Sequence, residues 1–147
     1  MLRFEFEEIR DLPGKRIEGD LVFASKKGSR PSYVVEDVPV ENSLGIDLIF
    51  SGLYNPVTKK LTLNFHIKGV GPICRVCING RLHEKVGRTH KHDLIGQQDP
   101  DNNIPNVVIR KDLLGKTISQ VWSTLCSQSQ ITHNGGFIIP GGTDVTL

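Results

Sequence analysis

The side chains that could do chemistry gather in residues 81–94, RLHEKVGRTHKHDL, which hold three of the chain's five histidines with two arginines and two lysines between or beside them. Alternate positions of a β-strand share a face, so His90 and His92 can open into one cleft. His83 joins them if the chain folds back with Leu82 opposite Ile78, which brings it to the side of Arg75 and Cys77. Two histidines flanking a phosphodiester can serve as general base on a ribose 2′-hydroxyl and general acid on the leaving oxygen, because imidazole titrates near neutrality. Arg75, Arg88 and Lys91 would then stabilise the charge developing on phosphate.

A three-histidine metal site with an open position for water is the competing chemistry, with His66 on a neighbouring strand as a fourth member. The intervening cations favour the first mechanism, since they repel a divalent ion and help to bind phosphate. The candidates are therefore His83, His90 and His92 for acid–base work and Arg75, Arg88 and Lys91 for phosphate, with no metal and no cofactor required. A polar hairpin tip without chemistry is the plain alternative.

Cys74-Arg75-Val76-Cys77 has the spacing of a zinc or redox motif. On a strand, however, positions i and i+3 face opposite ways, so Cys74 goes with Val76 and Ile78 on the apolar side and Cys77 with Arg75 and Asn79. No second cysteine pair exists to close a metal site, and structural thiols are the expectation.

The order Ile78-Asn79-Gly80, two residues, His83, a loop, and His90-x-His92, with a helix near the C-terminus, resembles a loosely defined family of small uncharacterised bacterial proteins. Some of their genes lie beside toxin–antitoxin or phage-defence genes. The resemblance covers about residues 60–130 and implies a shared site at Asn79, Gly80, His83, His90 and His92; it implies no particular activity. The chain departs from the pattern in a shorter loop between His83 and His90 and in Thr89, where a proline commonly precedes the pair.

The elements that must position these residues are mostly strands. Residues 2–9 alternate, with Leu2, Phe4 and Phe6 on one face, and with residues 16–25 they suggest a hairpin around the turn DLPGK. A short strand begins at Tyr33, and Pro39 ends it or places it at a sheet edge. Around Asn55-Pro56-Val57-Thr58 two alternating runs form the clearest hairpin, whose outgoing strand sets Leu61, Leu63, Phe65 and Ile67 on one face and Thr62, Asn64, His66 and Lys68 on the other. PICRVCING reads as a strand running into an Asn79-Gly80 turn, followed by strands at residues 89–94 and 106–110 on either side of a polar loop.

One helix is predicted over residues 117–130, opening with the capping box Thr117-Ile118-Ser119-Gln120 and carrying Leu114, Ile118, Val121, Trp122 and Leu125 as an apolar stripe. Its other face, with Ser119, Gln120, Ser123, Thr124, Ser127 and Gln128, bears no charge and is a candidate contact surface. The expected fold is α+β: a mostly antiparallel twisted sheet or small open barrel packed against one C-terminal helix, in a single domain of residues 1–147 with a tail over 135–147.

A chain of 147 residues can bury a substantial core. Three cysteines, an odd number, suit a reducing compartment, and the start lacks the apolar run of a signal peptide, so a cytoplasmic protein without membrane association is expected. Residues 1–50 carry seven Lys/Arg against ten Asp/Glu, and residues 51–147 eleven against six. The basic half could meet an anionic partner. These readings lead to a small bacterial protein acting on nucleic acid, most concretely a metal-independent, toxin-like RNA-cleaving enzyme. The alternatives are a non-catalytic protein-binding module of inhibitor or antitoxin type, with a protein partner instead of RNA, and a metal-dependent hydrolase with a three-histidine site.

Overall fold

A computed structural model describes residues 3–79, 90–92, 108–109 and 111–147, with the backbone alone at 3–4, 90–92 and 108–109. Its centre is an open sheet in the order β3 (Ala24–Ser25), β4 (Tyr33–Pro39), β5 (Leu48–Asn55), β6 (Lys60–Ile67), β7 (Gly71–Ile78), β8 (His90–His92) and β9 (Val108–Ile109). Every neighbouring pair in it is antiparallel. The β5–β6 hairpin turns at Asn55, whose Oδ1 accepts from the backbone N–H groups of Val57 and Thr58 at 2.9 and 3.3 Å. As the alternation requires, Leu61, Leu63, Phe65 and Ile67 are buried, while Thr62, Asn64 and His66 on the opposite face are half-buried.

The apolar face is covered by α2 (Ile118–Gln128), which buries Ile118, Val121, Trp122, Leu125 and Cys126. The Trp122 ring lies 4.9 Å from Phe50 and 4.8 Å from Phe137, the latter stacked. The predicted cap forms: the Gln120 N–H donates to Thr117 Oγ1 at 3.2 Å and the Thr117 N–H to Gln120 Oε1 at 2.9 Å. Leu114 does not belong to the apolar stripe, since it precedes the cap and is exposed.

The N-terminal segment differs from its predicted hairpin. Residues 3–11 form a helix, α1 (Arg3–Asp11), with Phe6 and Ile9 buried. The alternation of residues 2–6 matches a strand, but Leu2, Phe6 and Ile9 also stand at helical spacing among good helix formers. Pro13 and the left-handed Gly14, with φ of 77°, follow the helix, and Lys15 closes over its end. Its ammonium donates to Ile9 O, Arg10 O and Leu12 O at 2.9, 2.6 and 2.6 Å, and the residue is fully buried.

The segment taken as a second strand is broken into β1 (Lys15–Glu18), β2 (Leu21–Val22) and β3, of which the first two leave the large sheet. β1 pairs in parallel with β10 (Ile131–Asn134), and β2 with β11 (Phe137–Ile138). The large sheet is antiparallel as expected, and these two small parallel pairs, whose partners come from residues 15–22 and 131–138, stand beside it. The C-terminal helix accordingly stops at Gln128, and Ile131 to Asn134 are strand. The tail is docked: Ile118 N–H donates to Val145 O, Ser119 N–H to Thr143 O and Leu147 N–H to Lys116 O, at 3.1, 3.1 and 3.0 Å.

Candidate functional site

The half-buried face of the large sheet, turned away from α2, carries Ser51, Thr62, Asn64, Arg75 and Cys77. β5–β6–β7 register builds two rows across it. In one, Ser51 opposes Asn64 and Asn64 opposes Arg75; in the other, Leu53 opposes Thr62 and Thr62 opposes Cys77. β8 continues both rows, with His92 opposite Arg75 and His90 opposite Cys77. Directly opposed positions of an antiparallel pair lie on one side of the sheet, so positions 90 and 92 extend the face of Arg75 and Cys77. Lys91 holds the alternate position, opposite Val76.

Asn79 follows β7 with φ of 55° and its Nδ2 donates to Lys59 O at 3.1 Å, which ties the end of β7 to the β5–β6 turn. A left-handed Asn at this point suits the expected hairpin turn. Gly80, His83 and Arg88 lie outside the described residues, so the row of histidines is placed at positions 90 and 92 alone.

The cysteines divide as strand geometry requires: Cys74 is buried and Cys77 half-buried. Thr62 Oγ1 lies 3.9 Å from Cys77 Sγ, and Ser129 Oγ lies 3.9 Å from Cys74 Sγ. Burial pushes the Cys126 thiol up to about 12, which leaves it an inert core group. Among the described residues no three His, Cys, Asp or Glu side chains are grouped to hold a metal ion.

His66 sits further along β6, opposite Ile49 on β5 and Pro72 on β7. Burial lowers its pKa, and the nearby Asp37 carboxylate opposes that shift. Asn64 Nδ2 approaches His66 Nδ1 at 3.4 Å. With Nδ1 accepting from the amide, the ring proton belongs on Nε2.

A feature that residue patterning did not identify flanks this face. β4 is irregular between Val35, opposite Gly52, and Val38, opposite Phe50, so Glu36 and Asp37 together face Ser51. Asp37 takes φ of 54° and its N–H donates to Ser51 Oγ at 3.2 Å. This is a β-bulge, and its sequence trace is the acidic pair inside Val34-Val35-Glu36-Asp37-Val38, where two consecutive polar residues break the alternation. The bulge borders a hollow of about 380 Å³ lined by residues of β4, β5 and β6, among them Asp37, Ser51, Thr62 and Asn64. A second hollow, about 660 Å³, lies beside α2 and is lined by Ser119, Ser123, Ser127 and His133 among others. The exposed uncharged residues of α2 stand next to it.

No family model, curated protein or solved structure matches the chain.

Proposed function

We propose that the protein acts on RNA across the polar face of its large sheet, cleaving a phosphodiester without a metal. The observation that carries this reading is the register that aligns positions 90 and 92 with Cys77 and Arg75, beside Thr62 and Asn64. Arg75 is half-buried at the centre of this face, where a guanidinium can bind phosphate through two parallel N–H donors. One histidine takes the proton of a ribose 2′-hydroxyl, whose oxygen attacks phosphorus. A second gives a proton to the departing 5′-oxygen as the P–O5′ bond breaks, leaving a 2′,3′-cyclic phosphate. His83, His90 and His92 are the candidates for these two roles, and Arg88 and Lys91 supply further positive charge. The bacterial, toxin-like setting suggested by the resemblance belongs to the same proposal.

The test is a proton NMR titration of the histidines with a short RNA, followed by a cleavage assay with the same RNA carrying a 2′-deoxy nucleotide at the cut site. Coupled shifts of the His90 and His92 signals, and cleavage abolished by the deoxy substitution, are expected. If His90→Ala with His92→Ala leaves every RNA effect intact, the reading fails.

A second reading rests on α2. Its outward face is uncharged and exposed at Ser119, Gln120, Ser123, Ser127 and Gln128, next to the 660 Å³ hollow, which suits contact with another protein. On this reading Ser123→Arg disrupts a complex and the histidine substitutions do not.

A further inference from the structure

The hollow beside the β4 bulge carries chemistry that the phosphate face lacks. Its polar lining is rich in acceptors: the carboxylates of Glu36 and Asp37, the hydroxyls of Ser51 and Thr62, and the Asn64 amide. Asn64 Oδ1 is buried without a hydrogen-bond partner. An unmatched buried acceptor is costly, and a ligand donor removes that cost. Glu36 is already occupied, since Lys26 Nζ donates to its Oε2 at 2.7 Å. Asp37 is exposed, and among the described residues its carboxylate accepts no hydrogen bond. The bulge therefore holds one uncommitted carboxylate over a pocket whose walls, Val34, Val35 and Leu53, are apolar.

A flat ligand with two adjacent donors fits this set. Among nucleobases, guanine alone presents N1–H and an N2 amino group side by side on its Watson–Crick edge, the two-donor fork that a carboxylate accepts. Asn64 also links the hollow to the phosphate face, because its register partner is Arg75 on the next strand, about 4.8 Å away across the sheet. A base and its own phosphate can thus be held at neighbouring positions.

We propose that the hollow over β4, β5 and β6 is a guanine subsite, in which Asp37 accepts from N1–H and N2–H, Asn64 Oδ1 accepts a further donor of the nucleotide, and Val34 and Leu53 pack on the base. The assignment of the base to an RNA strand rests on the RNA reading above, whereas recognition of guanine itself does not.

Guanosine, inosine, adenosine, cytidine and uridine are titrated separately into ¹⁵N-labelled protein, and then a short RNA containing one G. Guanosine should shift the amides of Asp37, Ser51, Thr62 and Asn64, and inosine, which lacks the N2 amino group, should bind roughly tenfold more weakly. Asp37→Asn should abolish the guanosine preference with the thermal transition unchanged, because Asn tolerates the left-handed backbone that this position requires. Equal shifts with all five nucleosides, or shifts elsewhere, overturn the subsite. Nucleosides carry no phosphate, so the two proposals fail separately. RNA that perturbs Arg75 while guanosine does nothing overturns the subsite and leaves the RNA reading standing. Guanosine seated at Asp37, with RNA leaving Arg75 unmoved, supports the pocket as a site for free guanine nucleotide and overturns the RNA reading.

Discussion

Lys15 shows how one buried charge can close over the end of a helix. Its ammonium donates to the carbonyls of Ile9 and Arg10 in the last turn of α1 and of Leu12 just beyond it. Lys15→Met keeps most of the volume and removes the donors, and urea denaturation should show a loss of about 1–3 kcal/mol. Burial also lowers the Lys15 pKa from 10.5 to about 8. Between those values the unfolded chain holds a proton that the folded chain has released, so stability rises with pH across this window. The gain is complete above 10.5 and is lost as pH falls through about 8. Denaturation midpoints measured from pH 7.5 to 10 should carry this slope in the wild type and lack it in Lys15→Met. His66 works at the acid end in the same sense, since its pKa is lowered from 6.5. Acidification below that value protonates the unfolded chain first, and His66→Gln should flatten the resulting decline.

Among the elements, α2 and the β5–β6 hairpin were legible because each carries two agreeing signals. The helix has a capping box and an apolar stripe, and the hairpin has alternation and an Asx-type turn. Thr117→Ala removes the cap acceptor and should cost about 1 kcal/mol in thermal or urea unfolding. The strand character of β7, and the opposite exposure of its two outer cysteines, followed from the same period of two. α1 was illegible because residues 2–9 satisfy both periods at once, and the Lys15 contacts with its final carbonyls cannot be read from spacing. The strands β10 and β11, and the division of residues 16–25 into β1, β2 and β3, were missed for another reason: β1, β2, β10 and β11 are two to four residues long and pair with partners more than a hundred residues away. The β4 bulge left a trace, the broken alternation at Glu36-Asp37, which identifies a bulge only once the register with Ser51 is known.

At the scale of the whole molecule, the grouping of Thr62, Asn64 and His66 on the face opposite α2 was legible, whereas the rows across it were set by pairings the sequence does not print. Close approach of distant segments also explains a glycine. Gly135 has φ of 159°, and a Cβ there would come within 2.2 Å of Gly19 O. Gly135→Ala should therefore force β10 away from β1 and lower the melting temperature by several degrees. His133, two residues before it, joins three segments: Trp122 Nε1–H donates to its Nδ1 at 3.1 Å, and its Nε2 lies 2.9 Å from Gly19 O. Those distances place the ring proton on Nε2, and a two-bond ¹⁵N–¹H spectrum of the histidines checks the tautomer. No helix among the described residues is long and apolar enough to cross a membrane.

The parallel pairing of β1 with β10 and of β2 with β11 joins residues 15–22 to residues 131–138, and this sets an order of events during synthesis. While a ribosome is still adding residues, the early segment can make its bridge from Arg16 to Glu41 but lacks β10 and β11, and the β5–β6–β7 meander can form without them. Ile17 and Leu21, both fully enclosed in the finished molecule, stay wet until residues 131–138 leave the exit tunnel. Contacts of such long sequence separation form late and slow the overall rate. Newborn chains stalled short of residue 131 should therefore bind hydrophobic-surface chaperones through their first 25 residues, and release them when translation resumes.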